Sequence, residues 1–244
     1  MGVQIMRIKN LLSLLLLITL IIVIGCTKYN DGVSANNERK IVINIQAGKN
    51  FSHQYKMGII KINITPQIAI WLEDETGKYI ETILVTEKSA KSSWGNVRRP
   101  EALPIWSHKR GVKYSDGLYM PDRKNPLPDT VTGATAKGSF IKTWNVPSSI
   151  KDGNYLLKVE VNSSFDFNET YQDKLPKNHP SYNLVSGQPS LLWEGKVSVG
   201  KAYTTKLKIV GHGHPAGKDG TVSSDLSGID SALTIINSIT AGSN

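Results

Sequence analysis

This chain of 244 residues contains a single cysteine, Cys26. One cysteine cannot form an intrachain disulfide, and the sequence after Cys26 has neither a cysteine metal ligand nor a cysteine nucleophile. The sequence also lacks the glycine-bracketed serine of a hydrolase nucleophile elbow and the His-Glu-x-x-His helix of metalloproteases. These absences argue against the common hydrolase classes.

Acidic side chains are scarce relative to basic ones, 20 against 29, which gives a net charge of +9 at pH 7. Such a balance can hold a domain near anionic lipid or an anionic ligand, and it is equally typical of a solvated basic surface. The basic residues are scattered, and no basic helix is interleaved with aromatic residues. We therefore expect no nucleic-acid partner.

One long apolar run, Leu11 to Ile24, lies near the start of the chain and follows a short basic region. It is too short to span a bilayer comfortably and is typical of a signal-peptide core. It ends in Val23-Ile24-Gly25-Cys26, which resembles the lipobox of bacterial lipoproteins. The resemblance implies a signal peptide over residues 1–25 and a lipid on Cys26 that anchors the chain to a membrane, on the extracytoplasmic side of the cell envelope. The alternative is a plain membrane anchor with an incidental cysteine.

The rest of the chain is predicted to be a polar, flexible tether over residues 26–39 and a single domain over residues 40–244. Seven or more β-rich runs without a repeating strand–helix alternation predict an all-β fold. We expect an immunoglobulin-like or fibronectin-like β-sandwich with long loops and little helix.

Several local patterns refine this expectation. Short glycine-containing turns predict two β-hairpins, Ile68–Glu73 with Tyr79–Val85 and Leu191–Val199 with Tyr203–Val210. The Ser-x-x-Asp pattern at residues 227–230 favours one helical turn followed by a final strand. Trp144 together with Asp152-Gly153-x-Tyr155 resembles the Ig-like modules of flagellar hook-capping proteins. In such sandwiches a tyrosine beside a turn bonds through its hydroxyl to nearby backbone.

Residues 88–128 form a long loop in which prolines and glycines interrupt any long element, and such loops are usually functional. Pro100 to Arg110 can hold one or two helical turns opened by a proline. Trp94, Trp106 and His108 lie in this loop among basic residues, so it can stack on and bind a planar, anionic ligand. Alternatively, both tryptophans anchor the loop on the sandwich.

A second candidate site is the pair His212 and His214. Alternate residues of a strand face the same side, so both imidazoles can hold one metal. A metal also needs a third and usually a fourth ligand, and the candidates are His53, His108, His179 and Asp219. The glycine-rich surroundings suit a binding loop or a tight turn equally well, and two histidines are a weak signal, so we expect no metal.

The heptad Asp129–Thr135, Asp-Thr-Val-Thr-Gly-Ala-Thr, follows a proline-rich segment. It resembles the flavin-attachment site of the membrane-bound quinone reductase and electron-transport subunits with FMN-binding domains, in which a transferase joins FMN to the last threonine. The resemblance implies covalent FMN on Thr135. The other cofactor-binding residues that it implies are Asp129, Thr132, Gly133 and Ala134.

The same heptad also fits a simple turn before a strand. In that interpretation Asp129 caps the turn, Gly133 takes a positive φ and Thr135 begins the strand.

Four segments together resemble an exported bacterial family of uncharacterised function, DUF2271: Gln67–Asp74, Leu103–Trp106, Asp129–Thr135 and Gly187–Ser190. Some members of this family occur alongside flavin transferases and PepSY-type membrane reductases. The resemblance therefore implies these two proteins as partners in extracytoplasmic electron transfer. The rival hypothesis is a non-catalytic envelope binding module for a glycan, peptide or protein partner. Both make the chain an electron carrier or a binding protein rather than a stand-alone enzyme.

Overall fold

The computed structural model describes residues 39–95, 97–134 and 136–243. The predicted signal peptide, Cys26 and all but the last residue of the predicted tether lie outside the described residues, and so does Thr135. The described residues belong to one compact unit. No helix in these three ranges is long and apolar enough to cross a membrane.

The described chain is mostly strand, with short helices. In chain order the strands are β1 (Lys40–Ala47), β2 (His53–Met57), β3 (Ile60–Ile64), β4 (Gln67–Glu73), β5 (Tyr79–Thr86), β6 (Thr132–Gly133), β7 (Phe140–Asn145), β8 (Gly153–Asn162), β9 (Leu191–Val199), β10 (Tyr203–Lys206), β11 (Lys208–His212) and β12 (Ile236–Ser243). The helices are α1 (Glu87–Lys91), α2 (Pro104–Arg110) and a 3-10 turn, Ser231–Thr234. Helix α2 confirms the short helix predicted within residues 100–110, with Pro104 in its first turn.

Two sheets pack face to face. One has the strand order β10-β12-β1-β7, and the other has the order β11-β9-β8-β4-β5-β6. Alternate residues of β1, including Ile43 and Ile45, point into the core between the sheets, where they meet Ile70 and Leu72 of β4. This arrangement confirms the predicted β-sandwich with long loops and little helix. Strands β2 and β3 form a separate two-stranded hairpin.

The six-stranded sheet is covered on its outer face as well. Ala69 and Trp71 of β4 point away from the main core and pack against Ile105 and Trp106 of α2 in a second, smaller core. Every residue of β4 is therefore buried. Helix α2 belongs to the long loop predicted over residues 88–128. This part of the loop therefore has a structural role in covering the sheet.

The two hairpin predictions have different outcomes. The β4–β5 hairpin is confirmed, with Ala69 opposite Val85. The hairpin predicted around Gly200 is confirmed only in part: β11 pairs antiparallel with β9, whereas β10, the first half of the predicted strand, pairs with β12 in the other sheet. The predicted strand breaks at Leu207, which is 1% exposed and buries its side chain between the sheets as the chain crosses from one to the other.

The remaining local predictions hold. A single 3-10 turn precedes β12, although the capping residue is Asp230, whose side chain accepts from the amide of Ser231. The hydroxyl of Tyr155 donates to the carbonyl of Lys151 at 2.7 Å, as expected for a tyrosine beside a sandwich turn.

The segment Gly187–Ser190, one of the four behind the family resemblance, is a structural joint. Gly187 has φ +77°, and a Cβ there would lie 2.4 Å from the backbone of Asp166. Gln188 accepts from the amide of Asp230 at 2.8 Å and donates to the hydroxyl of Ser231. The segment therefore connects the loop that contains Asp166 to the 3-10 turn Ser231–Thr234.

Candidate functional site

The heptad lies at an edge of the six-stranded sheet. Thr132 and Gly133 form β6, which runs parallel to β5. The side chain of Asp129 is 88% exposed and pairs with Lys91 at 3.1 Å, and Ala134 is exposed. The hydroxyl of Thr132 donates to the carbonyl of Pro128 at 3.0 Å. The described part of the heptad is thus exposed at Asp129, Thr130 and Ala134 and half-buried over residues 131–133, while Thr135 lies outside the described residues.

The simple-turn interpretation of the heptad is wrong in one respect. Gly133 does not adopt a positive φ. The residue is small for another reason, since a Cβ at Gly133 would lie 2.9 Å from Cδ1 of Leu84. The glycine therefore lets β6 approach β5 closely.

Trp106 does not belong to a ligand loop. It is 1% exposed, packs in the second core and donates through Nε1 to the hydroxyl of Thr82 at 2.9 Å. The alternative, that this tryptophan anchors the loop on the sandwich, holds. His108 is half-buried at the end of α2, with its ring 4.3 Å from that of Tyr119. Trp94 is half-buried and lies in a different groove, so the three predicted residues do not form one site.

The two histidines of the predicted metal pair are not on one strand. Strand β11 ends at His212, which is 8% exposed, and His214 lies beyond it. Burial lowers the pKa of His214, whose Nδ1 accepts from the amide of Ala216. Among the described residues no three histidine, cysteine, aspartate or glutamate side chains come together as a metal site. Of the further candidate ligands His53, His108, His179 and Asp219, the last has its pKa lowered first by hydrogen bonds from Thr221 and then by the charges of His214 and His108, which lie near enough to act on it, but no three of these side chains form a site.

A groove opens beneath the β2–β3 hairpin, and we call it the hairpin groove. Its volume is about 250 Å³. This is slightly smaller than the roughly 300–1,000 Å³ of typical ligand pockets, so it suits one side chain or one ring. Its apolar walls are Met57, Ile62, Ile64, Trp94 and Phe165, and its polar walls include Gln67, Lys88, Arg99 and Ser164.

Side chains alternate between the two faces of the β2–β3 hairpin, and one of these faces lines the groove. In the β2–β3 register Tyr55 lies opposite Ile62 and His53 opposite Ile64, so one face of the hairpin carries its large side chains. That face turns toward the domain, where the ring of Tyr55 stacks on Phe165 at 4.2 Å. The opposite face carries Lys56 and Lys61.

Arg99 is the charged centre of the hairpin groove. It is only 9% exposed, and its guanidinium lies 5.5 Å from the ring centres of both Trp94 and Phe165. One nitrogen donates to the hydroxyl of Ser164 at 2.6 Å, whereas Nε has no partner among the described residues. Burial lowers the pKa of Arg99, and the charge of Glu101 partly offsets this effect.

Glu101 is an unusual neighbour for this cation. It is 1% exposed, and neither carboxylate oxygen has a hydrogen-bond partner among the described residues. Burial raises the pKa of Glu101 to about 7, against smaller lowering effects of its own amide, Arg99 and the amide of Val185. Near neutral pH the carboxyl group is therefore only partly ionised, and Arg99 retains positive charge to offer a ligand.

A second cavity nearby offers less to a ligand. It is lined by residues that include Arg98, Asp116 and Asp122. Arg98 pairs with Asp116 at 2.9 Å, lies 3.9 Å from Asp122 and donates to the carbonyl of Met120. Two carboxylates already balance this arginine, and the other cations of the wall, Arg123 and Lys124, are exposed to solvent. The hairpin groove, with its buried Arg99, is therefore the better candidate for an anionic ligand.

The sequence patterns missed a buried carboxylate at the centre of the outer face. Glu160 of β8 is 0% exposed and accepts from the amides of Ile105 and Trp106 and from the hydroxyl of Ser190. Burial raises the pKa of Glu160 to about 7, and these three bonds oppose the shift. Its role is to fix the start of α2 on the sheet.

Comparisons of the chain with models of protein families, with curated proteins and with solved structures find no significant match.

Proposed function

We propose that this chain is a lipid-anchored binding protein of the bacterial envelope, and that its hairpin groove binds an acidic, partly apolar peptide segment of a partner protein. The observation that carries the proposal is Arg99, a nine-tenths buried cation in the wall of an open groove, with its guanidinium 5.5 Å from the centres of two aromatic rings. An anionic group is the ligand that compensates such a charge, and the rings and Met57 suit an adjoining apolar side chain.

A peptide fits the surroundings better than a glycan does. Strands β2 and β3 form a two-stranded sheet, so each has an outer edge without a strand partner in the described part of the chain. An extended peptide can pair with such an edge through its backbone while one side chain enters a pocket. The groove's volume of about 250 Å³ matches one side chain.

The proposal predicts which substitutions weaken peptide binding. On an array of acidic and apolar peptides, Trp94→Ala is expected to lower affinity roughly 30-fold, because buried tryptophans at interfaces contribute about 2 kcal/mol or more. Lys88→Gln is expected to lower affinity severalfold and to reduce its dependence on salt. Fluorescence polarisation with a labelled peptide from the array measures both effects.

Lys91→Gln is the matched control, because Lys91 is on the same helix as Lys88 but pairs with Glu87 and Asp129 instead of lining the groove. It should leave peptide affinity unchanged. An array without binders, or binders indifferent to Trp94→Ala, would rule the proposal out. If a parallel glycan array instead gives binders whose affinity depends on Trp94, the ligand of the hairpin groove is a sugar and not a peptide.

A second candidate function is extracytoplasmic electron transfer by FMN joined to Thr135. The observation that favours it is the exposure of Asp129 and Ala134 at the edge of the sheet, where a flavin transferase has access. FMN held there would supply reversible electron transfer to or from a PepSY-type membrane reductase. The exposed residues Asp129, Thr130 and Ala134 suit this use, whereas Gly133 serves the close approach of β6 to β5.

Coexpression with a flavin transferase is expected to add one FMN to the protein, seen as a mass gain and as in-gel fluorescence. Thr135→Ala should abolish both signals. Thr132→Ala is the control, because the Thr132 hydroxyl already donates to the carbonyl of Pro128 and should not accept the flavin. A mass without added FMN, or FMN that persists in Thr135→Ala, contradicts this function and leaves the peptide proposal standing.

A further inference from the structure

The tip of the β2–β3 hairpin exposes three large apolar side chains in a row. Met57 is 54% exposed, Ile59 is 98% exposed and Ile60 is 62% exposed. Turns are normally polar, and a contiguous apolar patch at a protruding position usually marks an interaction surface. The fold does not require these side chains, because only the inner half of the hairpin packs on the domain, through Tyr55.

The backbone of the tip presents this patch outward. Met57 pairs with Ile60, which leaves Gly58 and Ile59 as a two-residue loop. Gly58 has φ +61°, and a positive φ at the first central residue is the pattern of a type II′ hairpin turn. A Cβ at Gly58 would meet nothing within 4 Å, so the loop stands clear of the described part of the domain.

Two lysines flank the apolar tip. Lys56 and Lys61 lie directly opposite each other on the hairpin's polar face, and like charges in this position repel. Neither has an ion-pair partner within the described ranges. The sequence has no acidic residue between Asn50 and Leu72. This segment therefore carries uncompensated positive charge immediately behind an apolar tip.

We propose that the hairpin tip inserts into the headgroup region of an anionic lipid bilayer. Ile59 and Ile60 enter the boundary between headgroups and acyl chains, while the Lys56 and Lys61 stems extend their ammonium groups to lipid phosphates. Charge complementarity selects lipid over an apolar protein surface, because a bilayer rich in anionic lipid relieves the repulsion between the two lysines. This contact shares Met57 with the hairpin groove, but Ile59, Ile60 and the two lysines do not line the groove, so the contact does not depend on the peptide site.

The length of the chain before β1 allows this contact together with a lipid on Cys26. The 14 residues from Cys26 to Arg39 can extend to about 45–50 Å. The eight residues of β1 span about 26 Å. The tether is thus long enough to run back along β1 to the surface that the hairpin touches.

The test places an environment-sensitive fluorophore at the tip of the full chain. Cys26→Ser together with Ile59→Cys leaves one thiol for labelling, and the full chain, including the apolar run Leu11–Ile24, is reconstituted into vesicles. A blue shift of the emission and quenching by brominated lipid are expected at position 59 in vesicles of phosphatidylcholine with phosphatidylglycerol. The matched control label is at Glu75→Cys, on the exposed turn at the far end of β4, where neither signal is expected.

The lysines give the second measurement. In the labelled chain, Lys56→Gln with Lys61→Gln is expected to weaken the association of the tip with anionic vesicles, by about fivefold per lysine, and to leave phosphatidylcholine vesicles unaffected. Equal emission at positions 59 and 75 would overturn the proposal. A blue shift at position 59 that rises with protein concentration in detergent without lipid would also overturn the proposal. It would show that the hairpin tip contacts another protein molecule and not a bilayer.

Discussion

Replacing Glu101 by glutamine is expected to stabilise the fold above pH 7 by up to about 3 kcal/mol and to flatten the pH dependence of its unfolding. Burial raises the pKa of Glu101 from 4.5 to about 7, and each unit of such a shift corresponds to about 1.4 kcal/mol. Chemical denaturation at a series of pH values from 4 to 8 measures the effect.

The sign follows from the direction of the pKa shift. Between pH 4.5 and about 7 the folded protein keeps a proton on Glu101 that the unfolded chain has released. Stability contributed by this group is therefore complete below pH 4.5 and is lost as the pH rises through 7. Glutamine imitates the protonated acid at every pH, so the variant should match the parent at pH 4 and exceed it at pH 8.

Glu160→Gln is the matched control, because Glu160 is equally buried and its pKa is also raised to about 7. Its oxygens accept from the amides of Ile105 and Trp106 and from the hydroxyl of Ser190. Removing the charge of Glu160 brings a similar gain at pH 8, but an amide group cannot accept at both ends, so one donor loses its partner, at a cost of roughly 1–3 kcal/mol. Glu160→Gln is therefore expected to stabilise the fold at pH 8 by clearly less than Glu101→Gln does. Destabilisation by Glu101→Gln at pH 8 would show that the Glu101 carboxylate is stabilised in the fold.

Trp106→Ala is expected to lower the free energy of unfolding by about 3–5 kcal/mol, the range for removing a buried tryptophan. The side chain is 1% exposed, fills the second core beside Trp71 and donates to Thr82. Its loss leaves a cavity between α2 and the sheet, and the Thr82 hydroxyl keeps only its hydrogen bond with Tyr79. Equilibrium denaturation with guanidinium chloride, followed by circular dichroism, gives the change.

Trp94→Ala separates structure from binding in the same loop. Trp94 is half-buried and contacts the guanidinium of Arg99, so its removal should cost only about 1 kcal/mol of stability. Its main effect is expected on peptide affinity. Equal destabilisation by Trp94→Ala and Trp106→Ala would mean that both tryptophans serve as anchors and that the hairpin groove lacks a binding ring.

The sandwich itself was predictable because alternation of apolar residues reports which face of a strand is buried. β1 shows this clearly, with Ile41, Ile43 and Ile45 inward. The crossing at Leu207 was not predictable, since Tyr203–Val210 alternates as one strand and local pattern does not state which sheet each half joins. Only the pairing of β10 with β12, nearly 40 residues later, determines the break.

The candidate site was harder to predict, because it depends on contacts between distant segments. Arg99 is a candidate binding residue because of its contacts with Phe165 and Ser164, which lie more than 60 residues away in the sequence. Glu160 carried a local signal, an acid between two inward-facing valines of β8, and this indicated an outward side chain. Helix α2 covers this outward side chain. That cover depends on where the loop of residues 88–128 packs in the fold, and no local sequence pattern encodes it.

The pairing of β1 with β12 has a consequence for the order of folding. Val42 lies opposite Gly242, so closing this pair joins positions 200 residues apart. Until the last strand arrives, one edge of β1 stays open, and Ile239 and Ala241 are missing from the core. Such non-local closure slows folding, because the entropy of a long loop is lost before the contacts form. We therefore expect assembly of the four-stranded sheet to be a late step, and the partly folded chain to be most prone to aggregation before it.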